Sequence, residues 1–294
     1  MHGRGFQMTQ YSAVLLLATA LGCGDARTQP PPPSPVADAG SLFDSATAGT
    51  ITGRIRWAGE LPSVPPLLQR PNLLASDGNK ETIPWPNPNA PVIDPGTHAV
   101  RGVVVFLRGV DPRQARPWDL PPVRVVQQGQ QFHVRQGDED SRVGFVRRGD
   151  SVEMVSADAV FHSLHAGGAA FFTLAFPDPD RPRTRPLASP GLVELTSAAG
   201  YFWMRGYLFV DDHPYYVRTD AAGRFRLADV PPGRYEAVCW LPDWRTAGRE
   251  LDGDTGQLCR LTFRPPAEVA RPVRVTAGSP AEVSFALSQA AFGR

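Results

Sequence analysis

From residue 50 onward the chain alternates between apolar and polar positions. In Ile51-Thr52-Gly53-Arg54-Ile55-Arg56-Trp57 the odd positions are apolar or glycine and the even ones polar. That is the two-residue period of a strand with one buried face. Similar runs cover residues 103–107, 123–126, 143–146, 151–155, 160–164, 171–176, 192–195, 207–210, 215–217, 224–227, 235–240, 259–263, 273–275 and 283–287. Gly, Pro, Asp and Asn separate them. No stretch after residue 50 sustains a 3.6-residue period over three turns, and the prolines would interrupt one. The pattern predicts an all-β protein of the sandwich class.

Composition agrees with punctuated strands. The 294 residues include 28 Gly and 31 Pro, and 42% are hydrophobic, which is enough for a core. A net charge of +1 removes the bulk electrostatic case for a nucleic-acid partner. Three cysteines are too few for a four-thiolate zinc site.

The N-terminus reads as an address. Ala13 to Leu21 is an apolar run too short to span a bilayer, with Arg4 before it and Ala20-Leu21-Gly22-Cys23 at its end. The ending resembles the lipobox of bacterial lipoproteins, which implies a signal peptide over 1–22 and lipidation of Cys23. An ordinary secretory signal with an incidental Cys is the alternative. Gly24 in place of Asp points to the outer rather than the inner membrane, with the body on the periplasmic side. Residues 23–49, with Pro30 to Pro33 and Pro35, read as a tether. In an oxidising compartment Cys239 and Cys259 form an even pair, either bridged or as two buried free thiols.

Two local motifs are more specific. In Thr219-Asp220-Ala221-Ala222-Gly223-Arg224-Phe225 the Asp can cap the turn amides and the Gly can turn the corner. In Val230-Pro231-Pro232-Gly233-Arg234-Tyr235 the prolines set a turn and Tyr235 starts an inward-facing strand. With Gly49 to Trp57, Gly102 to Leu107 and Arg271 to Leu287, these pieces resemble, in order, the carboxypeptidase regulatory-like domain, a prealbumin-like sandwich. The resemblance implies a carbohydrate-binding-like fold and a glycan or envelope-protein ligand. In that family the second strand and the T-D-x-x-G hairpin lie close together. Here over a hundred residues separate Leu107 from Thr219, so the expected layout is a domain in two parts, 50–120 and 212–290, around an insert at 121–211.

The insert carries Gly149-Asp150-Ser151-Val152, then Asp158-Ala159-Val160-Phe161-His162, and later Ala198-Ala199-Gly200-Tyr201-Phe202-Trp203-Met204. From about Val143 to Val210 this order resembles cupredoxins of the plastocyanin and azurin type. Residue by residue, the resemblance places His162 at the first imidazole and Met204 at the axial thioether. Ala198 (or Ser197, with a shift of one) takes the thiolate position, and Tyr201 that of the second imidazole. A type 1 copper site needs two imidazoles and a thiolate, and no Cys occurs between Cys23 and Cys239. The expectation is a cupredoxin-like domain without type 1 copper, hence no cofactor and no enzymatic activity. His162 with His165 is the alternative metal site, with His133 and His213 as candidates to join them, although three positions along a strand place His162 and His165 on different faces. An electron-transfer or copper-handling role with an altered site goes with it. The Glu250–Gly256 stretch lacks the spacing of an EF-hand and reads as a polar hairpin tip. The G-x-S-x-G and H-E-x-x-H hydrolase signatures are absent. Trp85 and Trp118, in proline-rich loops, read as packing residues, with surface recognition such as carbohydrate stacking as the alternative.

Overall fold

Among the described residues the alternating runs assemble into four sheets of four or five strands, beside three two-stranded ones. In the computed structural model residues 42–69, 83–251, 253–254 and 258–293 are described. The expected signal peptide, Cys23 and the tether up to residue 41 lie outside the described residues. The last tether positions already touch the body: the Leu42 amide donates to the Arg113 carbonyl and Gly49 opens the first strand. The described chain is β throughout, apart from a 3-10 turn at Gln289–Phe292.

The first sandwich has an outer sheet in the order Arg224–Val230, Gly49–Trp57, Pro280–Glu282, with Phe285–Leu287 also pairing to Gly49–Trp57. Its inner sheet runs Tyr216–Arg218, Val104–Arg108, Gly233–Leu241, Ala267–Val275. Ile51, Ile55, Val105, Leu107, Tyr235, Ala237 and Phe285 fill the space between them. The two sequence motifs do local work here. Asp220 Oδ1 accepts from the amides of Ala222 and Arg224, both at 2.8 Å. Gly223 has φ +71, and a Cβ there would lie 2.4 Å from the Ile55 carbonyl oxygen, so only glycine suits the corner. Tyr235 is buried and its hydroxyl donates to the Pro231 carbonyl at 2.9 Å, which ties the proline turn to the core. Gly53, at an inward position, leaves room for the Phe225 ring and the Val283 carbonyl.

The second sandwich uses the chain between residues 123 and 211. One sheet is Val143–Arg147, Arg205–Asp211, Gly191–Ser197, His162–Gly168, Phe172–Phe176; the other is Arg183–Pro186, Ser151–Ser156, Val123–Gln128, Gln131–Gln136, Glu139–Ser141. Val125, Val134, Met154, Leu164, Val193 and Leu208 pack between them.

A third core joins the sandwiches. Phe106, Val104, Val238 and Trp240 on the first meet Val143, Phe145, Tyr207 and Phe209 on the second, with Tyr216 among them. Phe106 stacks on Tyr216 at 5.2 Å, and Trp240 meets Tyr207 and Phe209 edge-on, both at 5.1 Å. Where the two sandwiches meet, the strands at the seam are therefore covered on both faces. That is why Val104–Arg108, Val143–Arg147 and Arg205–Asp211 are buried almost without alternation.

The structure departs from the sequence reading in two places. Cys239 and Cys259 are both free, so the bridge is not formed. Cys239 points into the first core from its strand, whereas Cys259 sits on a hairpin, Thr246–Leu251 with Leu258–Phe263, whose Leu261 packs into the second core. Several strands are also added. Gln131–Gln136, Arg183–Pro186 and Thr246–Leu251 are polar enough to escape a hydrophobic pattern because each lies towards a sheet edge or in a two-stranded ribbon.

Candidate functional site

One end of the second sandwich gathers three loops. The turn at Gly129-Gln130 closes the hairpin of Val123–Gln128 and Gln131–Gln136 with both residues at positive φ, 58° and 57°. The loop after Ser156 brings Asp158 beneath it. Asp158 Oδ1 accepts from the Gly129 amide at 2.8 Å and Oδ2 from the Gln130 amide at 3.0 Å. The segment after Ser197 supplies Trp203, whose indole donates to the Gln130 carbonyl at 3.0 Å. A single hairpin turn is thus pinned from two sides.

His162 enters this arrangement at the first position of its strand, fully buried. Its Nε2 lies 2.9 Å from Asp158 Oδ2. Burial alone would raise the Asp158 carboxyl, but the Gln130 and Gly129 amides and the His162 imidazole outweigh it and hold it below the ordinary value. With Nε2 held by the carboxylate, Nδ1 is the ring nitrogen left over, and it is buried without a hydrogen-bond partner among the described residues. Both polar atoms of the buried Gln127 side chain are likewise unpartnered. Tyr201 lies against the imidazole, ring centroids 5.0 Å apart, and its hydroxyl pKa is raised by burial and then by the Asp158 charge. Trp203 follows at 5.6 Å from Tyr201, and Trp85 covers Trp203 at 5.2 Å.

The sequence-chosen residues therefore divide. His162 and Tyr201 come together. Ala198 sits in the same loop, its amide donating to the Ser163 carbonyl at 2.7 Å. Met204 is buried in the second core. His165 lies apart: its Nδ1 is 3.0 Å from Thr173 Oγ1 and its ring meets Phe171 edge-on. His133 pairs with Asp140 at 3.1 Å, and His213 is buried between Tyr215 and Tyr216, 3.4 Å from Asp211. Among the described residues no group of three or more His, Cys, Asp or Glu side chains could hold a metal ion. A type 1 copper ion does not fit this donor set. One imidazole nitrogen is available, a phenol ring lies against that imidazole, and the loop that bears Ala198 contains no cysteine. Asp158 and Gln127 had no assigned role in the sequence reading. The D-x-x-x-H spacing could have marked the Asp158–His162 pair, but nothing local announces Gln127.

No protein-family model matches the chain, and no curated protein matches it either. Among solved structures it is similar to a reduced amicyanin variant at 18% identity, over 30% of this chain and 81% of that one, with a TM-score of 0.25. A Cu(I) amicyanin variant gives 15% identity over 36% and 97%, also at 0.25. A copper-containing nitrite reductase from Thermus scotoductus SA-01 gives 18% over 35% of this chain and 25% of that one, at 0.26.

Proposed function

We propose that this protein is a non-enzymatic binding or structural component of the cell envelope, lipid-anchored through Cys23 on the periplasmic side of the outer membrane. Its first sandwich is carboxypeptidase regulatory-like and its second a cupredoxin-like domain that has lost type 1 copper. The observation that carries this reading is the end of the second sandwich. His162 is locked to Asp158 and faced by Tyr201, with no thiol in the loop that bears Ala198. The test is reconstitution of the purified protein with Cu(II). The reading expects no strong blue charge-transfer band and no stoichiometric copper by elemental analysis; both together would overturn it.

One observation favours a second reading, a metal-handling domain with an altered site. A metal-ligating imidazole commonly donates its other nitrogen to a carboxylate, and His162 has that arrangement with Nδ1 left over. Calorimetric titration with Cu(II) or Zn(II) separates the two. Binding that disappears in His162→Ala selects the second reading, and equal, weak heats from both proteins select the first.

A further inference from the structure

A separate cavity of about 580 Å³ opens where the two sandwiches meet a proline-rich loop. That volume suits a small organic ligand. The loop, residues 86–91, is held in place by two buried asparagines. Asn87 Nδ2 donates to the Trp244 carbonyl and Asn89 Nδ2 to the Asp243 carbonyl, both at 2.9 Å. The Tyr207 hydroxyl donates to Asn89 Oδ1, also at 2.9 Å. One wall of the cavity is therefore fixed by hydrogen bonds to both sandwiches rather than left to collapse.

The walls are aromatic and cationic. Trp85, Phe132, Trp203 and Tyr207 are among the lining residues. Arg101, Arg142, Arg205 and Arg218 also line the space. Two of these are already neutralised, Arg205 by Glu194 at 2.9 Å and Arg218 by Glu139 at 3.0 Å. Asp140 is the one carboxylate among the described lining residues, and it is engaged by His133 and Arg135. Arg142 and Arg101 meet no carboxylate among the described residues. For Arg142 this matters most, because burial pulls its pKa below the ordinary arginine value. Arg142 is half-buried, and a guanidinium partly shielded from water that has gained no counter-ion is costly. An anion arriving in the cavity would remove that cost and could accept a bidentate pair.

We propose that this inter-sandwich cavity binds a small ring-bearing carboxylate, with the carboxylate on Arg142 and the ring against the indole and phenyl faces. Either a sugar acid or an aromatic acid presents that chemistry. The proposal names a ligand class for the binding role above and rests on that role, but it is independent of the copper question. Neutral sugars lack the group that Arg142 requires, and inorganic anions lack the ring.

The test is calorimetry on the purified full-length protein at low salt, with galacturonate, benzoate, glucose and acetate as separate probes. We expect galacturonate or benzoate to bind at one site, with glucose and acetate weaker by at least about tenfold. Binding to galacturonate alone identifies a sugar acid, and to benzoate alone an aromatic acid. Arg142→Gln should lower the affinity by at least about tenfold, with partial recovery in Arg142→Lys. Circular dichroism and the unfolding midpoint establish that each variant is folded. If Arg142→Gln is not folded, Arg101→Gln and Arg142→Lys carry the test. The proposal is overturned if neither carboxylate binds, if the folded variants bind as tightly as the parent, or if glucose binds as well as galacturonate. In the last case the general binding role survives while this ligand class does not.

Discussion

Cys239 and Cys259 show how little a residue type says before its surroundings are known. The first is sealed in the core of the first sandwich, and burial pushes its thiol pKa up to about 12. The second is half-buried on a two-stranded ribbon, with Sγ 3.3 Å from the Glu250 carbonyl. Thiolate fraction and access together set reactivity. Alkylation of the native protein, read by peptide mass spectrometry, should therefore label Cys259 and spare Cys239 until denaturant is added. A Cys239–Cys259 linked peptide in a non-reduced digest would contradict this arrangement. The same residue-scale logic separates His162 from His165: three positions along one strand put the first in the core and leave the second on the outer face with Thr173. That separation follows from the strand period alone. The Asp158 partner of His162 does not, because it depends on where a loop folds back.

At the scale of elements, the turn at Gly129-Gln130 is the hinge of the candidate site. Gln130 adopts positive φ without being glycine, a conformation that needs outside support. The two amide bonds from Asp158 and the indole bond from Trp203 supply it. Asp158→Ala removes both amide acceptors and the His162 partner at once. It should destabilise the protein by about 1–3 kcal/mol in urea unfolding. Asp158→Asn, which keeps one carbonyl acceptor, should lose less. A neutral effect of Asp158→Ala would mean that the turn holds itself. Much of this element was legible in the chain: the alternating runs place Val123–Gln128 and Ser151–Ser156 within a residue or two. The polar strand Gln131–Gln136 was not, since only Phe132 and Val134 mark its buried face.

Across the described residues, the four larger sheets and three cores make the strands at the seam two-sided. The connection at Asp211–Tyr216 crosses between them, and His213 is buried there. Burial lowers its pKa from the ordinary 6.5, against the opposing pull of the Asp211 and Asp212 charges. The folded protein thus binds this proton less readily than the unfolded chain. Stability from neutral His213 is complete above pH 6.5 and is lost as pH falls through the folded value. Unfolding midpoints measured from about pH 7.5 to about pH 5 should fall, and His213→Gln should flatten that slope. The Asp158 contribution disappears only at lower pH, below its ordinary 3.8, so the two windows are separable.

The order of residues by itself determined the class of fold, because a period of two is a local property of each strand. It also determined that the second sandwich has no cysteine near Ala198, since a missing residue type needs no coordinates. Pairings and enclosures were left to the tertiary structure. The double burial of the strands at the seam, the separation of Cys239 from Cys259, the lone Nδ1 of His162 and the cavity around Arg142 all join segments distant along the chain. Such contacts depend on how whole sheets stack, and that stacking is decided by the aromatic layer of Phe106, Phe209, Tyr216 and Trp240 rather than by any short stretch of sequence.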